Sequence, residues 1–181
     1  MQQLESYLGG TWQRGEGDGA SLYDPTTAQV VARASTRGLD LGAALRHARD
    51  VGGPNLRALT FAQRGALLAA MSKAIHAQRE SLIEMGRLNG GNTRGDAKFD
   101  IDGATGTLMY YAQLGESLGD RTVQHDGDAI TIGRSSRLVG QHILTPKPGV
   151  AVHINAFNFP AWGLAEKAAC ALLAGMPVIA K

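Results

Sequence analysis

The sequence predicts an α/β fold in which N-terminal helices, small strands and a β-hairpin precede the start of a doubly wound, Rossmann-like parallel sheet. Three observations support this prediction. Apolar residues recur with helical spacing between positions 40 and 118, and extended stretches rich in glycine lie on either side of that region. Residues 149–181 then read as strand, helix and strand, the βαβ unit from which parallel sheets are built.

Short strands followed by a helix are predicted near the N-terminus. Residues 7–35 alternate loosely between apolar and polar side chains, and residues 24–27, DPTT, are a turn signal. We expect two or three strands here, of which residues 29–35, QVVARAS, are the clearest. A helix should begin at Asp40 and end at Gly52-Gly53-Pro54. The apolar stripe of that helix consists of Leu41, Ala44, Leu45, Ala48 and Val51.

Capping signals mark the next helical region. Thr60 and Gln63 fit a capping box, in which each side chain satisfies a backbone N–H of the other residue. Ser81 and Glu84 fit a second capping box, so the helix is expected to break and restart there. The sequence LNGGN at 88–92 is expected to close it.

A further helix and a hairpin are predicted in the middle of the chain. The helix runs from about Asp96 to Leu118, and its Gly103 and Gly106 lower helix propensity but permit a close helix contact. Residues 121–133 read as a β-hairpin, because Asp126-Gly127 suits a type I′ turn. The stretch that follows is also extended and ends in prolines.

The C-terminal segment has the pattern of a βαβ unit. GVAVHIN at 149–155 reads as a buried strand, Pro160 suits the first turn of the helix that follows, and PVIAK at 177–181 reads as a second strand. A parallel sheet needs more than two strands to be covered on both faces. We therefore expect this chain to be the opening part of a longer fold.

Composition excludes several classes of protein. The 44% hydrophobic content favours a folded chain, and the formal charge of +2 without a run of like charges indicates neither a nucleic-acid nor a membrane partner. One cysteine cannot form an internal disulfide, and the histidines have no metal-ligand spacing, so no metal is expected. The N-terminus does not resemble a secretory signal. These features predict a cytoplasmic protein.

HINAFNFPAW at 153–162 is the stretch with the clearest chemical potential. It follows a predicted strand, and ligands of open α/β sheets bind at the carboxyl ends of strands. The Asn158 amide could stabilise a developing oxyanion, although an asparagine before a helix is more often an N-cap or a turn former. Lys181, after the next strand, could reach a ribose hydroxyl or a phosphate, or it could simply be solvated.

Residues 149–181 resemble the segment of aldehyde dehydrogenases that joins the first and second dinucleotide-binding strands. The family turn reads Pro-Trp-Asn-Phe-Pro, and here it is Ala156-Phe157-Asn158-Phe159-Pro160. INAFNFP, GLDL, LRALTF, DIDGATGTL and GQHILTP are similar to one subfamily, which oxidises coenzyme A-linked semialdehydes in aerobic phenylacetate and benzoate degradation. The resemblance covers nearly the whole chain.

The resemblance implies an NAD(P)-dependent oxidation of an aldehyde, with a small-molecule, CoA-linked substrate and NADP (or NAD) as cofactor. Asn158 matches the family's oxyanion-binding asparagine, and Lys181 matches the lysine that contacts the adenosine ribose or the 2′-phosphate. The strand end that lies along the dinucleotide matches Ile154, Asn155, Ala156 and Phe157.

The family's cysteine nucleophile and glutamate base match no position in this chain. Cys170 is expected to be a buried structural cysteine, and His153 a satisfied core histidine. The chain alone is therefore expected to be inactive. The alternative is a non-catalytic fragment that binds a dinucleotide or associates with a subunit.

The resemblance also divides the chain. Residues 1–120 would be the helical and strand part of the NAD(P)-binding domain, and residues 146–181 would be its first βαβ unit. Residues 121–145 would be either an oligomerisation element, giving a homo-oligomer in the full-length protein, or an ordinary surface hairpin.

Overall fold

Helices form the body of the chain in the computed structural model, which describes residues 2–181. The strands are β1 (Gln2–Gln3), β2 (Glu5–Leu8), β3 (Thr11–Arg14), β4 (Ala20–Tyr23), β5 (Val30–Ala34), β6 (Gln124–Thr131), β7 (Val139–Leu144), β8 (Ala151–His153) and β9 (Val178–Ala180). The helices are α1 (Leu41–His47), a π-helical turn (Ala48–Gly52), α2 (Gly53–Ala58), α3 (Phe61–Ala77), α4 (Arg79–Gly90), α5 (Arg94–Leu118) and α6 (Pro160–Leu173). The predicted α/β class is confirmed.

The N-terminal strands form two small sheets. In one sheet β5 lies between β1, which is parallel to it, and β4, which is antiparallel, while β2 and β3 form a hairpin. The predicted turn at 24–27 is present, because the Asp24 carboxylate accepts the Thr26 N–H and the Thr27 hydroxyl. The hydrogen bond from the Thr26 N–H contributes most to lowering the pKa of Asp24 below its usual value. The region contains more strands than we predicted.

The first helical segment does not end at Gly52-Gly53-Pro54, so that prediction is wrong. A π-helical turn joins α1 to α2, and Pro54 stands in the first turn of α2, directly after that π-helical turn. The apolar stripe predicted here has no buried member in α1 or the π-helical turn, and Leu41 is 52% exposed. A periodic pattern alone therefore did not identify a core-facing surface.

Capping explains where the next helices begin. The predicted capping box is confirmed, since Thr60 and Gln63 exchange bonds of 2.9 and 3.2 Å. The helix also breaks near the expected place, but the second capping box is wrong, because Ser81 Oγ donates to the carbonyl of Gln78 instead. Thr93 caps α5, whose span agrees with the predicted helix.

The core lies where α3, α5 and α6 pack together. Helices α3 and α5 approach closely at Gly65 and Gly115, where a Cβ on Gly115 would lie 2.9 Å from the Gly65 Cα. Gly103 also permits a close contact, with Trp162, but Gly106 faces open space, so only the first of the two predicted glycine contacts exists. The buried core residues are Phe61, Leu68, Ala104, Leu108, Ala112, Ala165, Ala169 and Leu173.

The hairpin is longer than predicted, and its turn lies elsewhere. Asp126 and Gly127 are inside β6, at an irregularity in its pairing with β7, so the predicted type I′ turn is wrong. Gly127 nevertheless has a positive φ of +76°, the sign that a type I′ turn requires. Across residues 2–181, none of the helices is both long and apolar enough to cross a bilayer.

The predicted βαβ unit is present. Strands β8 and β9 pair in parallel, with Val152 opposite Ile179, and α6 connects them. Backbone bonds extend the ladder beyond both strands, because Lys181 N–H donates to His153 O and Asn155 N–H donates to Lys181 O. The segment 154–159 therefore leaves the carboxyl end of β8 beside the end of β9.

Candidate active site

The turn from Ile154 to Phe159 lies at the carboxyl edge of the parallel strand pair, where open α/β sheets bind ligands. Its side chains are mostly exposed, and Ile154 and Phe157 are 74% and 69% exposed. Ala156 and Asn158 are exposed as well. The turn thus offers both apolar surface and polar atoms to a ligand.

Asn158 does not cap the helix that follows. The N-cap of α6 is Phe159, which makes no side-chain capping bond, and Pro160 occupies the first turn as expected. The Asn158 carbonyl accepts a hydrogen bond of 3.0 Å from Asn92 Nδ2, whereas its side-chain amide has no hydrogen bond within residues 2–181. The backbone is held while the amide, with two N–H donors, remains open to a ligand.

A carboxylate from another helix caps α6. Trp162 N–H donates to Asp100 Oδ1 at 2.7 Å, and Ala161 N–H donates to Asp100 Oδ2 at 3.2 Å. Asp100 is only 4% exposed, so these bonds to the helix N-terminus compensate its burial. Sequence reasoning missed both Asp100 and Asn92. The only signal was that a phenylalanine precedes Pro160, which leaves the helix without a local cap.

An aromatic cluster supports the turn from the side of α5. The Phe99 ring meets Trp162 edge-on at 5.0 Å between centroids and Phe159 at 6.4 Å. Trp162 Nε1 donates to Thr107 Oγ1 at 3.1 Å. Since the rings of Phe99 and Trp162 hold the start of α6 in place, the turn before it is attached to the helical body by packing as well as by hydrogen bonds.

Lys181 and Asn155 meet at the end of the strand pair. Besides the backbone bond, Asn155 Nδ2 lies 3.5 Å from Lys181 O, and the Lys181 side chain is exposed. Two buried polar atoms nearby, His153 Nδ1 and Asn155 Oδ1, have no hydrogen-bond partner in residues 2–181. The expectation that His153 is a satisfied core histidine is therefore wrong. No hydrogen bond in the described chain joins Asn158 to Asn155 or Lys181.

Cys170 is exposed, which corrects its predicted burial. The core-facing side of α6 is formed by Ala165, Ala168, Ala169 and Leu173, and Cys170 lies off that side although its sequence neighbours are apolar. Its thiol donates to Glu166 O at 3.1 Å, and it raises the pKa of Tyr111. The cysteine is a residue of the helix body and not part of the turn.

The comparisons with known proteins agree with this arrangement. The model of the aldehyde dehydrogenase family matches residues 12–181. The 3,4-dehydroadipyl-CoA semialdehyde dehydrogenase of Aromatoleum evansii is 47% identical over 179 residues, which cover 99% of this chain and 35% of that protein. The non-phosphorylating aspartate-semialdehyde dehydrogenase of Halomonas elongata is 26% identical over 178 residues, which cover 97% of this chain and 34% of that protein.

Solved structures show the same fold. Lactaldehyde dehydrogenase from Escherichia coli superposes with a TM-score of 0.83 at 22% identity, over 98% of this chain and 36% of that one. A 3,6-anhydro-L-galactose dehydrogenase in complex with NAP superposes with a TM-score of 0.81 at 20% identity, over 99% and 36% of the two chains. The chain spans about a third of the length of these proteins. Because the family model covers nearly all of the sequence, this chain belongs to the aldehyde dehydrogenase family.

Proposed function

We propose that the full-length protein containing this chain oxidises an aldehyde to a carboxylic acid with NADP or NAD, and that Asn158 binds the oxyanion formed on the way. The observation that carries the proposal is the exposed, unbonded amide of Asn158 on a turn whose backbone is held by Asn92. Its position at the carboxyl end of β8 is where an α/β sheet places its ligand.

Asn158 would act when a nucleophile adds to the aldehyde carbon and negative charge develops on the carbonyl oxygen. A fixed amide N–H stabilises that charge more than it stabilises the neutral carbonyl, and this difference lowers the barrier. The turn backbone requires no large rearrangement at that moment, because the Asn158 carbonyl is already bonded. The nucleophile and the general base would come from other parts of the full-length protein.

The end of the strand pair fits a dinucleotide. The exposed Lys181 ammonium offers a charge for a ribose hydroxyl or a 2′-phosphate. Ile154, Ala156 and Phe157 present exposed surface along the same edge. A bound nicotinamide cofactor would supply the hydride acceptor for the oxidation. We favour NADP over NAD as that cofactor.

The substrate class follows from the relative with 47% identity, which is named for a CoA-linked semialdehyde. We propose that this protein also acts on a CoA-linked semialdehyde from the degradation of an aromatic acid. The compartment we propose is the cytoplasm.

The hairpin of β6 and β7 is proposed as an oligomerisation element. Ile130, Val139 and Leu144 are 65%, 53% and 59% exposed, so the hairpin carries more apolar surface than a solvated ribbon requires. Residues 121–145 would then join copies of a homo-oligomer, while residues 1–120 and 146–181 belong to the NAD(P)-binding domain.

Steady-state kinetics of the full-length protein test the proposal. With NADP or NAD and a CoA-linked semialdehyde, the wild type should produce reduced nicotinamide. Asn158→Ala should lower kcat by about 100- to 1,000-fold, because one oxyanion donor is removed. Asn55→Ala, at an exposed position of α2, is the matched control and should retain wild-type kcat.

Two results would contradict the proposal. One is a wild-type protein that reduces neither cofactor with any CoA-linked semialdehyde, and the other is an Asn158→Ala variant with unchanged kcat. The 181-residue chain alone should show no turnover, since its single cysteine lies on α6 and bonds to Glu166 O.

A further inference from the structure

Two residues of the helical body, Asn92 and Asp100, form hydrogen bonds with the turn that carries Asn158 and with the start of the helix that follows it. Asn92 lies between α4 and α5, and Asp100 lies in the second turn of α5. Neither residue is near the turn in sequence, since the bonds span 66 residues for Asn92 and 61 or 62 residues for Asp100. Both contacts are therefore products of the tertiary fold.

Asn92 is itself rigidly placed. Gly91 ends α4 in the left-handed conformation with φ +67°, and Thr93 caps α5 by accepting the Asp96 N–H. The single residue between these two helix ends has little backbone freedom. Its Nδ2 donates to Asn158 O at 3.0 Å, directly at the residue whose side chain faces outward.

Asp100 fixes the start of α6, immediately after the turn. Its carboxylate accepts the N–H groups of Ala161 and Trp162, three and four positions after Asn158, and replaces the cap that Phe159 does not provide. Charge-assisted bonds of this kind are stronger than neutral ones. The Asn158 amide thus belongs to a residue whose own carbonyl is bonded to the helical body and which is followed, three and four positions later, by two more such bonds.

We propose that Asn92 and Asp100 are positioning residues, which set the direction of the Asn158 amide and so control kcat without contacting the substrate. This inference rests on the proposed function of Asn158. A shift of about 1 Å in a catalytic group can change the rate by about 100-fold, so loss of either bond should affect the reaction and not merely the fold.

The test uses the full-length protein and single substitutions with matched controls. Asn92→Ala and Asp100→Asn should each lower kcat by about 10- to 100-fold, with KM for the aldehyde and the cofactor within about twofold of wild type. The controls are Asn89→Ala, three residues before Asn92, and Asp102→Asn, on the same helix as Asp100 but paired with Arg79. Both controls should keep kcat within about twofold.

A double-mutant cycle separates positioning from general damage. If Asn92 acts through Asn158, Asn92→Ala should change kcat by less than about twofold when Asn158 is already alanine. An equal loss in both backgrounds, or an unchanged kcat for Asn92→Ala in the wild type, overturns the proposal. If Asp100→Asn does not fold, the Asn92 cycle decides alone. If Asn158→Ala itself has no effect on kcat, the function proposed for Asn158 is wrong, which is a different result.

Discussion

Arg64 in the helical body and Asn158 in the turn between β8 and α6 have opposite surroundings. The buried Arg64 guanidinium donates to several backbone carbonyls, whereas the exposed Asn158 amide has no hydrogen-bond partner among residues 2–181. Arg64 of α3 is 0% exposed, and its guanidinium also lies over the Phe61 ring at 5.0 Å. Burial lowers the pKa of Arg64, yet an arginine stays protonated in proteins, so its charge must be satisfied inside the core. The carbonyls that accept from it belong to Leu56, Arg57, Thr122 and Leu173.

Asn158 shows the opposite arrangement, because its carbonyl is hydrogen-bonded whereas its side chain has no hydrogen bond within the described part of the chain, residues 2–181. A polar group that is buried with partners contributes to stability and specifies packing. A polar group that is fixed but unbonded contributes little to stability and is available to a ligand. The difference between the two regions therefore separates a residue that maintains the fold from a residue that is available to a ligand.

The largest stability effect is expected from Arg64→Met. The substitution removes the donor for one buried carbonyl, that of Leu173, and for three part-buried ones, which should cost about 3 kcal/mol of the free energy of unfolding. Urea denaturation measures it, and Lys73→Met, at an exposed position of the same helix, should cost less than about 0.5 kcal/mol. Asn158→Ala should also have little effect on unfolding. A loss below about 1 kcal/mol for Arg64→Met would mean that the carbonyls find other partners.

Two glycines of α5 give a second contrast. A Cβ on Gly115 would lie 2.7 Å from Phe61 O and 2.9 Å from Leu173 Cδ1, so Gly115→Ala should destabilise the protein by about 1–3 kcal/mol. Gly106 has no atom within 4 Å of that position, so Gly106→Ala should stabilise the protein by about 0.5–1 kcal/mol. Thermal unfolding of both variants measures the difference. Equal shifts would show that α3 and α5 do not pack closely at Gly115.

Features with a local cause could be predicted from the sequence. The capping box of Thr60 and Gln63, the extent of α5 and the βαβ unit depend on residues that lie close together in the chain. The position of Asn158 at a strand's carboxyl end follows from that local order, and so does the proximity of Lys181 to the end of β8.

Features that depend on distant residues could not be predicted in this way. Gly127 has the backbone conformation of a turn residue, but pairing with β7 places it inside a strand. The π-helical turn before Gly53 continues the helix into α2, although the sequence Gly52-Gly53-Pro54 indicates that the helix should end there. Asn92 and Asp100 contact the turn and the start of α6 only because the helical body packs against α6. No spacing in the sequence therefore reveals their role.

Helix capping should give a smaller effect. Thr60→Ala removes the side-chain oxygen that accepts the Gln63 N–H, which should cost about 1 kcal/mol of stability. Ser81→Ala is the control, since Ser81 donates to a carbonyl and caps no helix. Its cost should be within about 0.5 kcal/mol. Urea denaturation distinguishes the two, and equal losses would contradict the assigned capping box.

The smallest effect should be a pH dependence from the ion pair of Arg79 and Asp102, whose closest contact is 2.7 Å. The Arg79 hydrogen bond holds the pKa of Asp102 below its usual value. A carboxylate with a lowered folded-state pKa contributes stability above its unfolded pKa of about 3.9, and this contribution disappears as the pH falls through the lowered value. The difference in Tm between wild type and Asp102→Asn should therefore be constant near neutral pH and shrink below about pH 4. Arg79→Met, which removes the other partner, should show the same trend. A difference in Tm that persists below about pH 4 would show that this ion pair is not the cause of the pH dependence.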